Sequence, residues 1–186
     1  MAWSYHYDHQ KRLTDAIRTE NSVDSVYRYE YDDAGNRTQK TLPGLGTTTY
    51  QYNSLGQLYS DGSCTYEYDS FGNLSARKEA GVVKESYAWD DSNQLTSVTF
   101  ENGKRVRFRY DANGTRIRKS VTESGTTIDR AYLTDYENPT GYSQTLAEFD
   151  PRNPETTTGN YVYGDTLLAQ SFGASEYFHS DHLGST

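Results

Sequence analysis

The chain has 186 residues, a net charge of −8 and only 33% hydrophobic residues, a balance usually read as intrinsic disorder; its 18 Tyr and 2 Trp reverse that reading, because each ring can bury roughly 150–250 Å2 and keep a polar tip. The acidic pI of about 5.0 argues against a nucleic-acid partner, since phosphate binding needs clustered Lys and Arg. No run reaches the roughly 18 apolar residues of a membrane helix, Met1-Ala2-Trp3-Ser4-Tyr5 has none of the marks of a signal peptide, and Cys64, the only cysteine, excludes an internal disulfide.

Taken in chain order, one motif keeps returning. A degenerate copy stands at Tyr5-His6-Tyr7-Asp8, and a full one at Tyr29-Glu30-Tyr31-Asp32-Asp33-Ala34-Gly35-Asn36. It recurs at Tyr50-Gln51-Tyr52-Asn53 with Gly56, then in full at Tyr66-Glu67-Tyr68-Asp69-Ser70-Phe71-Gly72-Asn73. Variants follow at Tyr87-Ala88-Trp89-Asp90 and at Phe108-Arg109-Tyr110-Asp111 with Gly114. The second aromatic falls at 31, 52, 68, 89 and 110, in steps of 21, 16, 21 and 21 residues. A fixed period of this size means stacked units, each about one hairpin long.

Each motif position has a physical role. Aromatics at i and i+2 share one face of a strand and favour its half-buried surface. The Asp after them accepts hydrogen bonds from backbone two residues on, which initiates a turn. Gly35, Gly56, Gly72 and Gly114 then supply the positive φ that closes a type I turn with a bulge. Asn93 fills that slot in the Trp89 copy, as the next best residue there; Lys11 fills it in the first copy, a poor residue for positive φ that leaves that turn in doubt. After each turn, alternation resumes, as at Leu95, Ser97 and Thr99 against Val98 and Phe100. Leu42-Pro43-Gly44, Asp61-Gly62, Ala80-Gly81, Asn102-Gly103 and Ser124-Gly125 reverse the chain again. The reading is all-β: stacked hairpins forming an open curved sheet or short β-spiral, with about six repeats over residues 1–130.

Beyond Val121 the pattern changes. Pro139, Pro151 and Pro154 cluster there, and Thr156-Thr157-Thr158-Gly159 reads as an exposed loop. Two further strands are expected, at Tyr161-Val162-Tyr163-Gly164 continuing to Gln170, and at Tyr177-Phe178-His179-Ser180-Asp181-His182-Leu183-Gly184-Ser185-Thr186. Residues 131–186 are read as a distinct part.

Together, the Tyr-Asp repeats, Asp135-Tyr136-Glu137-Asn138-Pro139-Thr140-Gly141-Tyr142, Tyr161-Val162-Tyr163-Gly164 and the closing Asp181-His182-Leu183-Gly184 segment resemble the Rhs/YD-repeat proteins and their associated core, over essentially the whole chain. The resemblance implies a β-strand spiral curling into a hollow shell, as in polymorphic toxins, toxin-complex components, cell-wall-associated proteins and, distantly, teneurins. In toxin-bearing members the shell encloses a variable C-terminal toxin released by a downstream self-cleavage region. Residues 131–186 then match the start of the associated core, truncated at its end, with neither cleavage region nor toxin. The expectation is a structural, non-catalytic shell segment without cofactor, from a secreted or cell-surface parent. Its partners would be the rest of that shell and a C-terminal toxin domain, with edge-to-edge self-association of the isolated piece.

Other chemistries compete for the same residues. His179, Asp181 and His182 suggest a metal, but a strand splits the two histidines onto opposite faces and no third ligand is close in sequence. The aspartates lack the alternating oxygen ligands and terminal Glu of a calcium loop. The basic runs Lys104-Arg105-Val106-Arg107-Phe108-Arg109 and Arg116-Ile117-Arg118-Lys119 alternate as the solvated face of a strand does. The alternative function is a surface module that binds or adheres to carbohydrate through exposed Tyr rows.

Overall fold

A computed structural model describes residues 1–138, 140–163, 167–173 and 175–177. Its contacts divide the chain into two units, Met1–Lys84 and Glu85–Thr186. In the first, β1 (Ala2–Tyr7), β2 (Leu13–Glu20), β3 (Val23–Tyr31), β4 (Arg37–Leu42) and β5 (Gly46–Thr49) form one sheet in sequence order. Following them are β6 (Gln51–Tyr52), β7 (Leu58–Ser60), β8 (Cys64–Tyr68) and β9 (Leu74–Glu79), which belong to a second sheet. Strand β10 (Val82–Trp89) runs across the boundary, and the second unit continues with β11 (Leu95–Phe100), β12 (Arg105–Tyr110), β13 (Arg116–Glu123), β14 (Thr126–Asp135), β15 (Gln144–Asp150), β16 (Asn153–Tyr163), β17 (Leu167–Ser171) and β18 (Ser175–Tyr177). These strands also neighbour one another in sequence order, and the pairings within each unit are antiparallel. The architecture is the open, all-β array of successive hairpins that the repeat period predicts.

Every copy of the motif makes the same turn. In the second copy the Gly35 amide donates to the Asp32 carbonyl at 3.1 Å and the Asp32 amide to the Asn36 carbonyl at 2.9 Å, while Gly35 sits at φ 90°. The ladder slips one residue at Glu30/Tyr31, where Glu30 faces Gln39 but Tyr31 faces Arg37. That is a type I turn closed by a bulge. Identical slips stand at His6/Tyr7, Gln51/Tyr52, Glu67/Tyr68, Ala88/Trp89 and Arg109/Tyr110. The same bulge returns at Leu133/Thr134 and Val162/Tyr163.

Three features differ from the sequence reading. Lys11 does close a turn: it adopts φ 63° and its amide donates to the Asp8 carbonyl at 3.0 Å, because hydrogen bonds from Arg12 to Asp8 hold the loop shut. A reversal the sequence did not signal joins β2 to β3 through Asn21 and Ser22, both at positive φ. Thr156, Thr157 and Thr158 are not a loop but lie within β16, where β-branched residues fit the pleat.

The shortened 16-residue step is the copy whose return strand, β7, has three residues. Its reversal is tightened by Asp61, which accepts from the Ser63 and Cys64 amides at 3.0 and 2.7 Å and from the Tyr66 hydroxyl at 2.8 Å. Burial is shallow throughout. Among the described residues the deepest apolar side chains are Ala16, Ala76, Val106 and Ala147, and no large side chain is fully buried. Tyrosine rings therefore cover the sheet by half-burial rather than filling a sealed core.

Candidate functional site

The repeat motif itself is the one recurring site, and its geometry is that of a latch between copies. In four copies the second tyrosine reaches back to the preceding copy and donates its hydroxyl to the carbonyl of the residue that opens that copy's return strand. Tyr31 reaches Leu13 at 2.9 Å, Tyr52 reaches Arg37 at 3.0 Å, Tyr68 reaches Leu58 at 2.7 Å and Tyr110 reaches Leu95 at 2.9 Å. In all four cases the acceptor stands five residues after the turn-forming Asp or Asn of the earlier copy. The first tyrosines Tyr29, Tyr50 and Tyr66, with Tyr87 and Trp89, are half-buried beside them, while Glu30, Gln51, Glu67 and Ala88 point the other way and are exposed.

Arginine reinforces the latch where it follows the turn. The Arg12 guanidinium lies 4.8 Å over the Tyr31 ring and donates to the Asp32 carbonyl at 2.8 Å. Arg37 lies 4.8 Å from the Tyr50 ring and 6.0 Å from Tyr29, and Arg116 bridges Phe108 and Tyr132 at 5.5 and 5.4 Å. Each such contact is worth about 0.5–1 kcal/mol at a partly exposed site.

The aspartates work inside the turn. Asp69 accepts from the Phe71 and Asn73 amides at 2.9 and 2.8 Å, and its second oxygen from Asn73 Nδ2 at 3.2 Å. Asp32 is held likewise by Asn36, Asn53 by Leu55 and Gln57, and Asp90 by Ser92 and Gln94. Asp111 accepts from the Asn113 and Thr115 amides at 2.9 Å, and its other oxygen takes the Tyr136 hydroxyl. Among the described residues no group of three metal-ligating side chains comes together, and no helix is long and apolar enough to cross a membrane.

These bonds set the titration behaviour. The Asn36 side chain, with backbone amides behind it, holds Asp32 below the ordinary 3.8. In Asp69 burial pushes upward but is outweighed by the donors from Asn73 and Phe71, so it too is lowered. Burial, then the hydrogen bond to Asp61, pushes Tyr66 up to about 12, and burial raises Tyr68. A lowered carboxylate stabilises the fold above its unfolded pKa and loses that contribution as pH falls through the folded value; a raised phenol stabilises below 10 and loses it as pH climbs toward the folded value. The thermal midpoint should therefore be level between pH 5 and 9, fall below about pH 4, and fall again between about pH 10 and 12. A scan of melting temperature against pH checks both limbs.

Gly72 tests the turn directly. It sits at φ 88°, and an added Cβ would come 3.2 Å from Gln57 Nε2, which donates to the Gly72 carbonyl at 3.3 Å. Gly72→Val should cost roughly 1–2 kcal/mol through backbone strain. At Gly35 no atom lies within 4 Å of an added Cβ, so Gly35→Val isolates the strain alone. Urea midpoints of the two variants measure both.

Of the later motif, Tyr161 donates to Glu148 Oε1 at 2.8 Å and meets Phe172 edge-on at 5.6 Å; burial and then Glu148 raise its phenol pKa. Tyr163 closes β16 at the Val162/Tyr163 slip. Gly164, His179, Asp181, His182, Leu183 and Gly184 lie outside the described residues, as does the metal question attached to the two histidines. Sequence reasoning missed the latch acceptors, because a main-chain carbonyl leaves no residue signature; only the constant offset of five after the turn could have pointed to them.

Known proteins share this repeat. The tRNA3(Ser)-specific nuclease WapA of Bacillus spizizenii is 34% identical over 140 residues, 74% of this chain and 5% of the nuclease. The tRNA nuclease WapA of Bacillus subtilis strain 168 is 34% identical over 162 residues, 83% of this chain and 6% of the nuclease. The chain thus spans about a twentieth of these relatives. Among solved structures, the Tc holotoxin pore of Photorhabdus luminescens aligns with 86% of this chain and 11% of its own at 17% identity, with a TM-score of 0.36. The model of the teneurin YD-shell matches residues 1–186, which include the latched repeats described above, and the chain belongs to the teneurin YD-shell family.

Proposed function

We propose that this chain is a non-catalytic wall segment of a YD-repeat shell that encloses or presents a C-terminal toxin or effector domain of its parent protein. The latch carries this reading. A hairpin whose tyrosine hydroxyl bonds only to the previous hairpin is built to be one of a series, and the turn carboxylates are occupied by amide donors instead of being free for chemistry. Residues 1–130 serve as the repeats and 131–186 as the start of the associated core. The nuclease activity of the WapA relatives then belongs to parts of those proteins outside the matched stretch, and the parent of this chain is secreted or displayed at the cell surface.

The test is protease protection in the parent protein. The C-terminal domain should resist trypsin while the wall is intact and become cleavable when Tyr31, Tyr68 and Tyr110 are together changed to Phe, with the domain's own activity unchanged. A C-terminal domain equally resistant in both proteins would sink the enclosing role.

One observation favours the carbohydrate reading as a second possibility. At the edge strand β1, Trp3 and Tyr5 stack with centroids 6.1 Å apart and planes 3° apart, and both rings are exposed. The latch tyrosines Tyr31, Tyr52, Tyr68 and Tyr110 are half-buried with their hydroxyls engaged, so sugar stacking would fall to this pair. Retention on a glycan array that disappears in Trp3→Ala would move the assignment to an adhesion module. The same strand, with all six residues exposed, is the edge at which the isolated chain should self-associate; sedimentation velocity at two concentrations reads that.

A further inference from the structure

The basic run of β12 alternates as expected, with Arg105, Arg107 and Arg109 exposed, and register sets these charges against particular neighbours. Strands β11 to β14 bring Ser97, Arg107, Ser120 and Asp129 into one cross-strand row, since Ser97 faces Arg107, Arg107 faces Ser120 and Ser120 faces Asp129. In the next row Arg109 faces Arg118 directly. These six residues line a groove of about 470 Å3 on that face. Like charges set opposite one another on adjacent strands destabilise a sheet, and on a chain of net charge −8 the placement has no origin in overall charge balance. Only one carboxylate answers it: Asp129 takes Arg118 Nη2 at 2.9 Å and the Ser120 hydroxyl. Arg118 Nε is buried without an acceptor among the described residues, and Arg107 and Arg109 make no ion pair there. The groove therefore holds three guanidinium groups against one carboxylate.

We propose that this groove docks an extended acidic peptide segment, with carboxylates at alternate positions, laid along β12. Residues two apart on a strand stand about 6.8 Å apart on the same face, so Arg107 and Arg109 present two charges at the spacing at which an extended peptide presents its own i and i+2 side chains. Ser97 beside them offers a hydroxyl to the peptide's main-chain groups, and Ser120, whose proton goes to Asp129, offers an acceptor oxygen. A guanidinium fork binds carboxylate through two parallel N–H donors. The cations are spread along a strand rather than converging on one point, which suits a chain of carboxylates over a single phosphate. The surrounding negative charge opposes a long polyphosphate. This site stands whether or not the enclosing role proposed above holds.

Isothermal titration of the whole chain tests it with three probes: a hexapeptide of aspartate alternating with threonine, an isomer with its three aspartates contiguous, and inorganic phosphate. The alternating peptide should bind, weaken with added salt, and bind several-fold better than the isomer. Arg109→Gln and Arg118→Gln should each weaken it by about tenfold, the loss of one charge-assisted pair, whereas Lys119→Gln, on the other face of β13, should leave it unchanged. A second readout separates a ligand site from a structural one: Arg109→Gln should raise the melting temperature, because it removes the like-charged pair. No binding of the alternating peptide at millimolar concentration, equal binding of both peptides, or phosphate binding alone with the same dependence on Arg109 would each overturn the proposal.

Discussion

Tyr68→Ala should lower the unfolding free energy by about 3 kcal/mol, whereas Tyr68→Phe should lower it by only about 1 kcal/mol. The difference separates the ring from the latch. Phenylalanine keeps the half-buried face against the neighbouring copies and removes only the hydroxyl that donates to the Leu58 carbonyl at 2.7 Å. Alanine removes both, and leaves that carbonyl and the exposed flank of the Tyr52 copy to water. Guanidinium unfolding followed by tryptophan fluorescence at Trp89 reports the loss in the adjoining copies. Equal costs for Phe and Ala would mean that the ring contributes nothing, and the half-burial picture would fail.

Val106→Asp should cost about 3–4 kcal/mol, because it places a carboxylate at one of the few buried positions the fold has. Val106 is 9% exposed and faces Val98 on one side and Val121 on the other. No donor in that apolar row can satisfy the new charge. Val106→Ala, which only opens space, should cost about 1–2 kcal/mol by comparison. Thermal melts of both variants give the ratio; a Val106→Asp protein that melts with the parent would show that this row is wet.

The repeat was legible in the sequence because its signals are local. The Tyr-x-Tyr spacing, the Asp that initiates the turn and the glycine or Asn93 at positive φ each act within a few residues, so strand, turn and face follow from the chain alone. Lys11 was not legible, since a poor turn residue is held in place by hydrogen bonds from Arg12 to Asp8 that are not written in the identity of Lys11, and at Asn21-Ser22 no glycine marks the reversal. The Thr156–Thr158 stretch misled because a polar composition reads as a loop, while its β-branched shape suits a strand. The depth of burial was also hidden. A tyrosine ladder suggests a core, yet among the described residues the deepest apolar positions are three alanines and one valine. The Arg109–Arg118 facing pair was invisible for another reason: alternation tells which face a residue takes, and register alone tells what stands opposite.

The latch has a direction. Each of the four latch hydroxyls bonds to a carbonyl earlier in the chain, never later, so the acceptor has always been synthesised before its donor. A ribosome adds one 21-residue copy in about 1–4 s, whereas a hairpin closes in about 1–10 μs. Each copy can therefore fasten to finished structure before the next emerges, and the array grows as a one-way zipper without awaiting its end. A nascent chain stalled once Asp111 has left the exit tunnel should already protect the copies around Tyr52 and Tyr68 from protease. If those copies stayed cleavable until the last strand was out, the zipper would close only as a whole, and the backward aim of the tyrosines would have no bearing on how the wall is built.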